Sequence, residues 1–119
     1  MLVADIHHVS LNVRDAERSL GFYRDLLGLS ELPRPDFGFG GAWLEAGSGR
    51  QIHLIEADVP TDLGQHVAFR VESLDRVVGE LRGAGVDVTD PSRVGDTETR
   101  QAFAADPDGN RVEFTQPPA

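Results

Sequence analysis

The chain is written twice, and that repeat constrains its fold more than any other feature. The segment HHVSLNV, His7 to Val13, returns as GQHVAFRV, Gly64 to Val71. Later, GRQIHLIE, Gly49 to Glu56, returns as GNRVEFTQ, Gly109 to Gln116. The first match places His66 over His8, and the second places Glu113 over His53. All four side chains can bind a metal ion. Ordinary core residues have no reason to line up in this way, whereas a pseudo-symmetric site built from both halves does.

At 119 residues the chain is read as one domain, 1–119, with repeat halves of about 1–60 and 61–119. No apolar run reaches the length that spans a membrane. No basic stretch precedes an apolar segment near the start, so no signal peptide is expected. Cysteine is absent, which excludes a disulfide framework, a thiolate metal site and a cysteine nucleophile. These features fit a cytoplasmic protein. The formal net charge of −9 disfavours phosphate backbones and anionic lipid, so neither nucleic acid nor membrane is an expected partner. Every basic residue is arginine, which excludes a lysine Schiff base.

Residues 5–13 alternate as a strand does, with Val9, Leu11 and Val13 on one face and His8, Ser10 and Asn12 on the other. Asp15 is a helix N-cap, and Leu20, Tyr23 and Leu27 keep helical spacing up to Gly28. The Pro- and Gly-rich stretch 30–41 reads as a loop or a broken strand. Strands follow at 42–46 and 51–57, joined by a Gly-Ser-Gly turn. The seam lies at 58–64. The second half then repeats the order: a strand at 65–71, a helix capped by Ser73 and running to about Arg82, and strands near 86–88, 101–105 and 111–115. Between the last two, DPDGN (Asp106 to Asn110) is a tight turn. Each half is thus a strand, a helix and three more strands.

Period-two alternation carries a functional consequence. Ile52, Leu54, Val112 and Phe114 turn toward the helices, so His53 and Glu113 fall on the opposite face. His8 and His66 fall there too. If each sheet curls, the four converge in a cup. His7, next to His8, is expected on the other face as a structural histidine.

The segments HHVSLNV, FYRDLLGL (Phe22 to Leu29), GQHVAFRV and DPDGNRVEF (Asp106 to Phe114) resemble, in this order and spacing, the vicinal-oxygen-chelate superfamily. That superfamily includes glyoxalase I, methylmalonyl-CoA epimerase, fosfomycin-resistance enzymes and extradiol dioxygenases. The resemblance covers nearly the whole chain. It implies an α+β fold of paired βαβββ modules, with curled mixed sheets forming a metal-binding cup and helices outside. It implies His8, His66 and Glu113 as ligands of a divalent ion, whether zinc, nickel, manganese or iron. His53 stands where glyoxalase I has a glutamate ligand and the epimerase a glutamine. It reads either as a fourth ligand or as pocket lining. Phe103 stands where extradiol dioxygenases and fosfomycin glutathione transferases carry a tyrosine, which disfavours both. Bleomycin-binding members lack the metal set that this chain keeps.

Other polar and aromatic residues have two readings each. Glu45 is a general base or a solvated strand carboxylate. Arg93 and Arg100 flank the loop 94–99 as an anion clamp or as solvated arginines. Trp43, Phe37 and Phe39 form a pocket wall or ordinary packing. The expectation is a metal-dependent enzyme on a small oxygen-bearing substrate, an isomerase or lyase, with Glu113 and His53 as its acid–base groups. Ring-cleaving dioxygenation is the second enzymatic reading. A drug- or metabolite-sequestering protein of the bleomycin-resistance type is the rival from another class. By resemblance the assembly is a homodimer with shared sites.

Overall fold

The computed structural model describes all residues, Met1–Ala119, in two compact units, Met1–Thr61 and Asp62–Ala119. The first unit contains β1 (His8–Val13), α1 (Ala16–Leu20), β2 (Ser30–Leu32), β3 (Gly41–Glu45) and β4 (Gln51–Glu56). The second contains β5 (Val67–Arg70), α2 (Leu74–Gly83), β6 (Ser92–Arg93), β7 (Arg100–Ala105) and β8 (Arg111–Gln116). Each unit is the expected strand, helix and three strands. No helix is long and apolar enough to cross a membrane.

The two sheets have the same topology, β1-β4-β3-β2 and β5-β8-β7-β6. In each, the first and fourth strands are parallel and the other neighbours antiparallel. A parallel pair cannot be closed by a tight turn. The helix and the two intervening strands supply the crossover.

The alternation read from the sequence holds within the strands. Ile52, Leu54, Val112 and Phe114 are buried, together with Val13, Leu20 and Tyr23 in the first unit and Leu74, Val78 and Leu81 in the second. The helix of each unit packs on this apolar face, α1 against β3 and β4, and α2 against β7 and β8. Asp15 caps α1 by accepting from the amides of Glu17 and Arg18, and Ser73 caps α2 by accepting from Arg76. Beyond Leu20 the first helix continues with π-helical geometry over Gly21–Leu26, so that the Leu27 amide reaches back to the Phe22 carbonyl at 2.9 Å.

Two expectations need correction. No strand forms at 86–88. Val88 makes a single bridge to Ala104, and the edge strand is Ser92–Arg93. At Thr89 the backbone amide donates to the Phe103 carbonyl at 2.9 Å, but the side-chain hydroxyl, not a backbone carbonyl, accepts the Phe103 amide in return at 2.9 Å, so the ladder is only half made there. His7 is also not segregated from His8. It precedes β1, and the two Nδ1 atoms lie 2.9 Å apart with the rings edge to face. Side-chain alternation therefore does not extend to His7.

The repeat extends to a detail that the sequence segments did not single out. Glu56, at the end of β4, accepts the first-turn amide of α1 at Ala16, at 2.9 Å. Gln116, at the end of β8, accepts the first-turn amide of α2 at Leu74, at 2.6 Å. Each fourth strand thus ends by satisfying an otherwise orphaned helix donor. Replacing either side chain with alanine is expected to lower stability by about 1 kcal/mol. Denaturant unfolding checks this, and an unchanged midpoint for both variants would show that solvent satisfies those amides equally well.

Candidate functional site

Strand pairing in each unit brings one pair of candidate side chains together. In the first unit Ser10 is the register partner of His53 on the parallel strand. His8 lies two residues before Ser10, on the same face. In the second, Ala68 is the partner of Glu113, and His66 lies two residues before Ala68. The antiparallel neighbours repeat as well: Trp43 faces His53 and Phe103 faces Glu113. Trp43 and Phe103 are therefore equivalent aromatic positions, a relation visible in the sequence only once the strand register is fixed.

The two pairs differ in chemistry. In the first unit His53 is buried, 8% exposed, with its ring between two others. His8 stacks on one face with centroids 4.0 Å apart, and Trp43 on the other at 4.3 Å. Its Nε2 lies 2.8 Å from Gln51 Oε1. With the amide oxygen facing it, Nε2 carries the hydrogen and donates, which leaves Nδ1 as the acceptor. Burial pushes the His53 pKa down, and the neighbouring His8, His7 and Arg34 charges push it further the same way.

In the second unit His66 has an oxygen acceptor at each ring nitrogen. Nδ1 donates to the Gly64 carbonyl at 2.8 Å, and Nε2 lies 2.9 Å from Glu113 Oε1. The carbonyl of Gly64 raises the His66 pKa; partial burial opposes this and Glu113 reinforces it. The segment that carries Gly64 is itself tied down. Asp62 accepts the Gly64 amide at 2.9 Å and pairs with Arg111 Nε at 3.1 Å. That backbone contact, then the Arg111 guanidinium, holds the Asp62 carboxyl below its ordinary range.

The donor set of the second unit suits a divalent ion. Two ligands each about 2.1 Å from a metal and at a right angle are about 3 Å apart, close to the His66–Glu113 separation of 2.9 Å. Donation from Nδ1 to a carbonyl also orients Nε2 as metal-binding histidines require. In the first unit, His7 engages His8 Nδ1, and no protein group engages its Nε2. Neither unit by itself brings three His, Asp or Glu groups together to hold a metal ion.

Of the remaining sequence candidates, Glu45 and Arg100 have structural partners. Glu45 accepts the Gly49 amide at 3.0 Å and staples the β3–β4 turn. Arg93 and Arg100 are register partners, and Arg100 is spent on Asp75 of α2 at 3.1 Å. Trp43, Phe37 and Phe39 do line a common hollow, together with His8, Ser10, Arg34, His53 and Ile55. Arg34 is a site residue that sequence reasoning missed, since nothing in a Pro-Arg-Pro stretch marks its side chain as turned toward the hollow.

Paired βαβββ units of this topology define a class. The chain belongs to the Glyoxalase/Bleomycin resistance protein/Dioxygenase superfamily, whose family model matches residues 5–114. It is 34% identical over 123 residues to Glyoxylase I 4 of Arabidopsis thaliana, covering 94% of this chain and 70% of that one. Its structure is similar to that of a glyoxalase family protein from Bacillus anthracis, with a TM-score of 0.88, 26% identity, and coverage of 99% and 98% of the two chains. It is also similar to TnmS3, an antibiotic binding protein from Streptomyces sp. CB03234, with a TM-score of 0.81, 26% identity and 99% coverage of both chains.

The opposite shifts of the two histidines have opposite consequences for stability. The His53 contribution is present above its ordinary pKa of about 6.5 and is lost as pH falls through the lowered folded value. That of His66 is present below about 6.5 and is lost as pH rises through the raised folded value. Imidazole NMR titration of chelator-treated protein is expected to place His53 below and His66 above that reference. The reverse order would contradict the burial of one ring and the two acceptors of the other.

Proposed function

We propose that the protein is a metal-dependent isomerase or lyase acting on a small oxygen-bearing substrate. The observation that carries this reading is the His66–Glu113 pair, spaced as two ligands of one divalent ion would be. His8 would supply the third ligand through its free Nε2. Zinc, nickel, manganese and iron all accept this set of neutral imidazoles and carboxylate. A bound ion would stabilise the negative charge that develops on substrate oxygens.

The proposed work of the chain's own groups is proton transfer. Glu113 is the one carboxylate of the four cup residues and, freed from the ion when substrate oxygens arrive, would take a proton from carbon beside a carbonyl. Neutral His53 has one donor and one acceptor nitrogen, which is what a relay returning that proton requires. Its enclosed ring and its bond to Gln51 favour this role, as a lining group, over direct metal ligation.

A unit that holds only two ligands needs a second unit to complete a site. We propose a C₂ homodimer in which the first half of one chain and the second half of its partner share each site. Replacing His66 or Glu113 with alanine is then expected to abolish stoichiometric binding of a divalent metal. Mixing the His8→Ala and Glu113→Ala variants should restore one intact site per heterodimer, read by metal analysis and sedimentation. A monomer that binds metal tightly would overturn the shared site.

The rival reading, a protein that sequesters a small molecule without turnover, is favoured by the aromatic wall of Phe37, Phe39 and Trp43. It needs no metal, so metal content separates the two. The acid–base assignment has its own test. His53→Gln is expected to retain metal and slow turnover by about 10²–10⁴-fold. Normal turnover with metal retained would leave His53 as wall alone.

A further inference from the structure

The hollow of the first unit has a composition that neither a metal site nor general packing requires. Its volume is about 240 Å³. Phe37 and Phe39 border it while each remains 50% exposed. Their rings stack on each other at 5.7 Å with an angle of 21°. Trp43 continues the wall and is itself layered on His53, with the planes 10° apart. Phe37 and Trp43 meet at 46° with centroids 6.1 Å apart, so the wall offers several flat ring faces, and such faces favour a flat ligand.

Arg34 supplies the only cationic guanidinium of this wall. It lies over Phe37 at 4.9 Å and over Phe39 at 5.3 Å, and donates Nη2 to the Phe39 carbonyl at 3.1 Å. The chain has 20 acidic residues and 11 basic ones, so carboxylates outnumber arginines. Arg50, Arg76, Arg82, Arg100 and Arg111 each take one, and Arg24 takes two, Asp25 and Glu31. Arg34 pairs with none, and a guanidinium with one bond to a carbonyl has donors to spare. A β-carbon at Gly41 would meet the Leu54 carbonyl and the Arg34 guanidinium, so glycine leaves the room that the arginine occupies. The larger hollow of the second unit, about 390 Å³, offers no comparable group, because its Asp62 and Arg111 neutralise each other.

We propose that this cavity binds a planar aromatic or conjugated anion, its ring against Phe37, Phe39 and Trp43 and its anionic group on the Arg34 guanidinium. The inference rests on the proposed function, in which the first half of one chain completes the site, and it names the substrate class. The physical basis is twofold: ring stacking on half-exposed aromatics removes apolar surface from water, and a charge-assisted bond to Arg34 selects the anion. Ser10, whose side chain borders the same hollow, offers a further hydroxyl donor.

The protein contains one tryptophan, Trp43, so its fluorescence reports directly on this wall. The test is quenching by 4-nitrobenzoate compared with neutral 4-nitrobenzamide, on metal-loaded and chelator-treated full-length protein, with cyclohexanecarboxylate as the non-planar competitor. The acid is expected to bind about tenfold tighter than the amide in both preparations, and cyclohexanecarboxylate to compete poorly. Arg34→Gln should remove the preference for the acid while retaining amide binding. Phe37→Leu and Phe39→Leu should weaken acid and amide alike. Equal affinity for acid and amide, or a preference that survives Arg34→Gln, would overturn the proposal. A preference seen only with metal and insensitive to Arg34→Gln would place the anion on the ion, sinking this inference while leaving the metal reading intact. A preference that needs Arg34 in a protein without stoichiometric metal would support the cavity and sink the metal reading.

Discussion

The parallel pairing of the first and fourth strands in each unit decides which side chains can meet. Antiparallel neighbours could have been joined by a short turn, but a parallel partner must be brought back by a crossover. Once it is, β1 and β4 run side by side with Ser10 opposite His53, and β5 and β8 with Ala68 opposite Glu113. His8 and His66 then lie one repeat of the pleat away from their partners. The helices depend on the same pairing. It delivers the ends of β4 and β8, Glu56 and Gln116, to the first turns of α1 and α2. One constraint thus fixes the apolar face that the helix covers and the functional pair on the other.

Because the backbone scaffold is repeated, the differences between the units stand out as chemistry. In the first, aromatic faces enclose His53 and burial favours its neutral form. In the second, two acceptors favour a charged His66, and Asp62 with Arg111 fixes the backbone that carries one of them. A buried imidazole between rings cannot swing freely toward an ion. An imidazole whose Nδ1 donates to a carbonyl is oriented for one.

Much of this was legible in the sequence, because two periodicities coincide there. The two-residue period of strands separates Ile52 and Leu54 from His53, and Val112 and Phe114 from Glu113. The long repeat aligns the two sets. What failed to show had local causes. Alternation says nothing about a residue before the strand, so the contact of His7 with His8 does not show in it. Val86–Val88 has the composition of a strand, but a threonine hydroxyl replaces a ladder carbonyl next to it. The equivalence of Trp43 and Phe103 depends on antiparallel register, which spacing alone does not give. Arg34 lies between two prolines, where the backbone is constrained but the direction of a long side chain is not.

The histidine at position 53, where Glu113 stands in the second half, bears on how the proposed function divides between the halves. A carboxylate there would have matched Glu113 and offered each unit an anionic ligand. Histidine brings no negative charge, and its flat ring can be packed between His8 and Trp43. Histidine therefore leaves the first half without an anion at the place where Arg34 lines the same hollow. Without that carboxylate the local field near Arg34 is more positive, and an incoming anion meets less repulsion. On the reading proposed here, the second half retains the carboxylate because it serves the cation, and the first half dispenses with it because it receives the negatively charged substrate.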